Sequence, residues 1–105
     1  MNKVANMKDF GNEKTLRVSY GDEWVLLCLH NNNVFAISDK CPHMGTSLYK
    51  GTFENGIVTC KSHKAKINVQ TGEIVENAKI LFMKMPTKKA KAYEVKVEEG
   101  NIFLL

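Results

Sequence analysis

Apolar and polar residues alternate along this chain in short runs, each closed by a cluster of turn residues. Residues 3–7 predict a first strand, and Asp9 to Lys14 a polar, glycine-bearing turn. Thr15 to Tyr20 alternates, with Leu16 and Val18 on one face. Gly21-Asp22 is a tight turn. The continuous apolar run from Trp24 to Leu29 predicts a strand buried on both faces, or nearly so. His30 to Asn33 turns the chain, and Val34 to Ile37 returns to complete a hairpin. Further on, Ile57 to Thr59 is a short strand ending on Cys60, and Lys64 to Val69 points Ala65, Ile67 and Val69 to one side. Thr71 to Glu73 is a turn. Residues 80–85 predict one strand, which Pro86 interrupts before a lysine-rich loop over 87–91. Tyr93 to Val97 alternates, Glu98 to Asn101 turns, and Ile102 to Leu105 is the last strand. No window holds a helical period. The pattern is all-β, in a sandwich or barrel.

Composition narrows this picture. A chain of 105 residues makes one domain. With 44% hydrophobic and 25% charged residues it has the balance of a globular protein. A net charge of +4 favours an acidic partner or an anionic surface. Lysine and glutamate are mixed along the chain and no recognition-helix pattern appears, which argues against nucleic acid. The first ten residues hold no apolar signal region, and Trp24 to Leu29 is too short to cross a bilayer. Three cysteines, an odd count, argue against a disulfide framework. The expectation is a soluble, monomeric, cytoplasmic protein with no membrane partner and with thiols kept reduced or metal-bound.

The candidate chemistry lies between Cys41 and Gly72. Two of three cysteines and two of three histidines fall there in close pairs, Cys41-Pro-His43 and Cys60-Lys-Ser-His63, with sixteen residues between His43 and Cys60. Cys28, inside an apolar run, reads as a small hydrophobe, and His30 as a solvated turn residue. Two thiols and two imidazoles brought together by a hairpin-length segment make a four-ligand metal site. Zinc fingers pair like with like and place the histidines on a helix. Here each non-helical loop supplies one Cys and one His. That suits a two-iron cluster with both thiolates on one iron and both imidazoles on the other, while a structural zinc site stays an alternative.

On these residues the chain resembles the Rieske-type [2Fe–2S] ferredoxins. The pattern C-x-H, a spacer of about sixteen residues, and C-x-x-H stands here as Cys41-Pro-His43-Met-Gly45 and Cys60-Lys-Ser-His63. The approach F-A-I-S-D-K-C-P-H, the I-N-V-Q-T-G-E stretch, the Pro86 loop and the ending Y-E-V-K-V-E-E-G-N-I-F are similar too. The resemblance implies a β-sandwich or incomplete barrel with a small cluster-binding subdomain over about 38–70. It implies one [2Fe–2S] cluster, with Cys41 and Cys60 on the inner iron and His43 and His63 on the outer. The Pro86 loop would cover it.

The resemblance also implies a one-electron carrier between a reductase and a terminal oxygenase or other oxidoreductase, with no catalytic residues of its own. A module similar to the small subunit of nitrite reductase is the alternative from another class. The absence of a catalytic domain after Leu105 argues against a whole Rieske oxygenase. Two neutral imidazoles in place of thiolates remove the cluster's negative charge and ease reduction, so Rieske centres span roughly −150 to +300 mV against about −400 mV for plant-type clusters. The histidine ring nitrogens should make the potential fall at alkaline pH. High-potential relatives bridge the two loops with a disulfide and place serine and tyrosine hydroxyls against the sulfurs. Thr46 and Ser62 stand at the first pair of positions and Ala65 and Ile67 at the second, so a potential low in the range is expected. Lys61 and Lys64 replace a proline and a glycine usual in the family. Lys40, Lys50, Lys61, Lys64 and Lys66, with Lys84, Lys88, Lys89 and Lys91, are candidates for a basic face docking an acidic redox partner, with Pro42 and Met44 as apolar contacts.

Overall fold

The computed structural model describes residues 2–42, 45–62, 64–80, 83–85 and 89–105. Thirteen strands are present among them: β1 (Asn2–Asn6), β2 (Thr15–Tyr20), β3 (Glu23–His30), β4 (Asn33–Ser38), β5 (Thr52–Glu54), β6 (Ile57–Thr59), β7 (Lys66–Asn68), β8 (Ile74–Glu76), β9 (Ala78–Ile80), β10 (Met83–Met85), β11 (Ala92–Tyr93), β12 (Val95–Glu98) and β13 (Asn101–Leu104). All pairings are antiparallel, in sheets ordered β11-β4-β3-β2, β1-β13-β12, β5-β6-β7-β8 and β10-β9. The only helices among the described residues are single 3-10 turns, Met7–Phe10 and Leu48–Lys50. None is long and apolar enough to cross a membrane.

Strand β3 explains the three-layer arrangement. Side chains alternate across a strand, so a run apolar at every position must be covered on both faces. Val25 and Leu27 enter one core, with Ala5, Ile102 and Leu104 from the three-stranded sheet, Val34 and Ala36 from β4, and Phe10 from the turn after β1. Leu26 and Cys28 enter a second core with Ile37, Val58, Ile67 and Val69, which seats the sheet β5–β8 on the opposite face. All four β3 side chains are fully buried, each worth roughly 1.5–3 kcal/mol for the larger ones. Trp24, at the strand's start, is half exposed.

Turn chemistry sets the register. Asn31 and Asn32 both adopt positive φ (51° and 65°), the geometry of a two-residue hairpin loop, and pair His30 with Asn33. Asn6 caps the first 3-10 turn, accepting from the Lys8 amide while the Asp9 carboxylate accepts from the Asn6 amide.

Three sequence expectations change. Residues 80–85 form not one strand but the two arms of a hairpin, with Ile80 opposite Met83; Leu81 and Phe82 lie outside the described residues. The alternating stretch from Tyr93 to Val97 is split: β11 pairs with β4, and β12 pairs with β13 in a different sheet. A strand that changes sheets keeps its alternation, so the pattern could not reveal the switch. His30 is half buried, not a solvated turn residue, and its ring lies over Gly56, where a Cβ would sit 3.2 Å away.

Candidate metal centre

Cys41 and Cys60 occupy corresponding places in two loops built to one plan. The Gly45 amide donates to the Cys41 carbonyl (2.8 Å), and the Cys41 amide donates to the Thr46 carbonyl (2.8 Å). The Lys64 amide donates to the Cys60 carbonyl (3.1 Å), and the Cys60 amide donates to the Ala65 carbonyl (2.8 Å). The residue four places after each cysteine is left-handed, Gly45 at φ +81° and Lys64 at φ +63°. Glycine adopts that geometry at no steric cost; lysine does so at a cost of about 1–2 kcal/mol. The second loop therefore keeps the glycine-type backbone despite its lysine.

Both thiols end in the same core. Cys41 and Cys60 are each 1% exposed and pack with Leu48, Ala65 and Ala90 in the core between β3–β4 and the sheet β5–β8. None of the three cysteines is in a disulfide. Two buried sulfurs at the bases of paired loops fit thiolate ligands facing inward. Cys28 is in that core too, and burial, with a smaller effect from the Asp39 charge, raises its thiol to about 12. It is the inert hydrophobe expected. His43 and His63, the other candidate ligands, lie outside the described residues, as do Met44, Pro86 and Lys88.

The loops also meet at their outer edges. Thr46 Oγ1 and Ser62 Oγ share a hydrogen bond of 2.7 Å. These are the two positions at which high-potential relatives were expected to carry a disulfide. Ala65 and Ile67 are buried and offer no hydroxyl.

Sequence reasoning missed the anchor of the first loop. Asp39 is 2% exposed, the only buried charged residue among those described. Its Oδ2 accepts from Arg17 Nε (2.8 Å) and from the Ser47 hydroxyl, and its Oδ1 accepts from the Tyr49 amide (2.8 Å). Its own amide donates to the Trp24 carbonyl (2.9 Å), and its carbonyl accepts from the Leu48 amide (2.6 Å). One residue thus ties both ends of the Cys41 loop to β2 and β3. The signal was an acid two places before a candidate ligand and a lone arginine in an alternating strand.

The model of the Rieske [2Fe-2S] domain family matches residues 1–100. The chain belongs to the Rieske [2Fe–2S] family. Its cofactor is accordingly a [2Fe–2S] cluster. Among curated relatives, it is 30% identical over 104 residues to the ferredoxin component of biphenyl 2,3-dioxygenase from Rhodococcus jostii (strain RHA1), covering 99% of this chain and 91% of that one. It is also 30% identical over 101 residues to human apoptosis-inducing factor 3, covering 96% of this chain but 16% of that protein. The chain thus spans only a small part of that longer relative. Among solved structures, the ferredoxin of carbazole 1,9a-dioxygenase from Nocardioides aromaticivorans IC177 superposes with a TM-score of 0.79 at 22% identity, over 97% of this chain and 93% of that one. The Rieske fold is shared with it.

Around the loops, Lys40, Lys50, Lys61, Lys64, Lys66, Lys89 and Lys91 are exposed. Lys66 pairs with Glu76 across β7–β8 (3.6 Å), and Lys91 with Glu23 (3.7 Å) while lying 4.8 Å from the Tyr93 ring centroid. The Tyr93 hydroxyl donates to Glu23 (2.6 Å). That bond, then Lys91, holds the Glu23 carboxyl below its usual range.

Proposed function

We propose that this chain is a one-electron carrier whose cluster is held by Cys41, His43, Cys60 and His63, one cluster per chain. The observation that carries the reading is the matched pair of loops, each burying one cysteine in a common core. Each of these cysteines is followed in sequence by a histidine two or three places on. When bound, the cluster supplies a one-electron couple at a potential low in the Rieske range. The segment 38–70 supplies all four ligands and is the cluster-binding subdomain. Kinship with a dioxygenase ferredoxin component supports a reductase as donor and an oxygenase or other oxidoreductase as acceptor. The chain works in the cytoplasm as a monomer and has no substrate site of its own.

The partner's docking face is acidic. A cleft of about 440 Å³ lies beside Cys41 and Pro42, lined by Lys40, Lys89 and Lys91 against a single acid, Glu23, which pairs with Lys91. Its charge favours a carboxylate-bearing partner and gives an encounter that weakens with salt. The near-complete match to one part of a longer relative supports a second reading, the same electron-transfer role as a domain of a larger redox protein.

The test is iron content, visible spectrum and EPR of the reduced protein prepared without air. Two irons per chain and a Rieske-type signal, lost in Cys41→Ser, Cys60→Ser, His43→Ala and His63→Ala, are expected. Zinc in place of iron, or full colour in any of these variants, would overturn the ligand assignment.

A further inference from the structure

The mechanism above does not use Arg17, yet the structure holds it on two sides. Its guanidinium carbon lies 4.0 Å from the centroid of the Trp24 ring, and its Nε donates to the buried Asp39 carboxylate at 2.8 Å. The Trp24 face fixes the guanidinium plane, and the strand pairing of Arg17 with Leu26 fixes its backbone. Asp39 stands two residues before Cys41, within ~7 Å along the chain.

We propose that Arg17 is a positioning residue for electron transfer, acting through Asp39. It holds the first ligand loop in place and balances a buried negative charge beside the cluster. The inference rests on Cys41 being a ligand. An added electron is repelled by a carboxylate in a poorly solvated setting, and the adjacent guanidinium cancels most of that repulsion. The Ser47 hydroxyl and Tyr49 amide also bind the carboxylate, but they carry no net charge and cannot do the same. A unit charge at ~10 Å with an effective dielectric of ~20 shifts a one-electron equilibrium about tenfold, which corresponds to about 59 mV. Structural anchoring alone gives no reason for opposite shifts when the two partners are neutralised one at a time.

The experiment is a redox titration at pH 8 of the intact, cluster-loaded protein and of Arg17→Gln, Arg17→Lys, Asp39→Asn and the Arg17→Gln/Asp39→Asn pair. Arg17→Gln should lower the potential by an amount equivalent to about tenfold. Asp39→Asn should raise it, the pair should return near the starting value, and Arg17→Lys should stay close to it. Should Asp39→Asn fail to load, Arg17→Gln against Arg17→Lys decides. Loss of loading in Arg17→Gln with retention in Arg17→Lys also supports the role. Unmoved potentials, or shifts of one sign in both single variants, overturn it. Cys41→Ser separates the two levels: if that variant keeps its spectrum, the ligand assignment fails, whereas if it bleaches and Arg17→Gln keeps the parent potential, only the present inference fails.

Discussion

Thr46 Oγ1 lies 2.7 Å from Ser62 Oγ, so a neutral hydrogen bond joins the outer edges of the two cysteine loops. An exposed bond of this kind contributes at the low end of about 0.5–1.5 kcal/mol. Thr46→Val should therefore shorten the lifetime of the cluster colour on heating only slightly. The pair Thr46→Cys/Ser62→Cys places two thiols at a sequence separation of 16. If oxidised to a disulfide, it should stabilise the chain by up to about 3 kcal/mol. Non-reducing mass spectrometry and the bleaching temperature check both. Failure of the double variant to oxidise in air would contradict the contact between the loop edges.

Lys64 occupies a left-handed position at φ +63° that its counterpart Gly45 fills without strain. Lys64→Gly should relieve about 1–2 kcal/mol of backbone strain and give back about 0.5–1 kcal/mol as unfolded-state entropy. The net gain is small, of order 0.5–1 kcal/mol, or about 2–6 °C in the bleaching midpoint. Lys64→Val should move the midpoint the other way. A lower midpoint for the glycine variant would refute the strain argument.

Gly72 is a joint between the β7–β8 turn and the segment before β11. Its amide donates to the Asn68 carbonyl and its carbonyl accepts from the buried Ala90. At φ +80°, a Cβ there would meet the Ala90 oxygen at 2.1 Å. Gly72→Ala must break that contact, so a loss of about 2 kcal/mol or more is expected. The cluster should also bleach faster. Unchanged thermal stability would show that residues 89–91 can shift freely.

Burial raises the Cys28 thiol from its ordinary 9.0 to about 12. The folded state thus holds this proton more tightly than the unfolded state. The resulting stability is fully present below about pH 8.5 and declines as pH rises towards 12. By pH 11 the loss should be about 3 kcal/mol. Cys28→Ala should be less stable at pH 7, from the lost packing, but show a shallower alkaline decline in denaturant titrations. Equal slopes for the two proteins would contradict the assignment. Native Cys28 should also resist alkylation at pH 8.

Much of this was legible in the residues themselves. The unbroken run Val25 to Cys28 announced a strand covered on both faces, because one covered face would have left alternate positions polar. The Asn31-Asn32 and Gly21-Asp22 turns marked hairpins through their backbone demands. The two Cys–His pairs pointed to the metal, and the structure places both cysteines in one core. Other features carried no local mark. Strands as short as β5 and β8 contain too few positions for a period to show. The β9–β10 hairpin sits in a run apolar enough to read as one strand. The Arg17–Asp39 link joins residues 22 positions apart, and no short-range pattern encodes such a partnership.

The two cysteine loops differ in what they hang from. Cys60 caps a contiguous β6–β7 hairpin, whose pairing of Thr59 with Lys66 closes over a few residues. The Cys41 loop is fastened to the distant Arg17 and Trp24. Closing a loop of about ten residues takes only ~10–100 ns, whereas the wider closure awaits assembly of the central sheet. During refolding of the metal-free chain, the Cys60 amide should therefore gain exchange protection before that of Asp39, leaving the paired-loop clasp to be completed from one side.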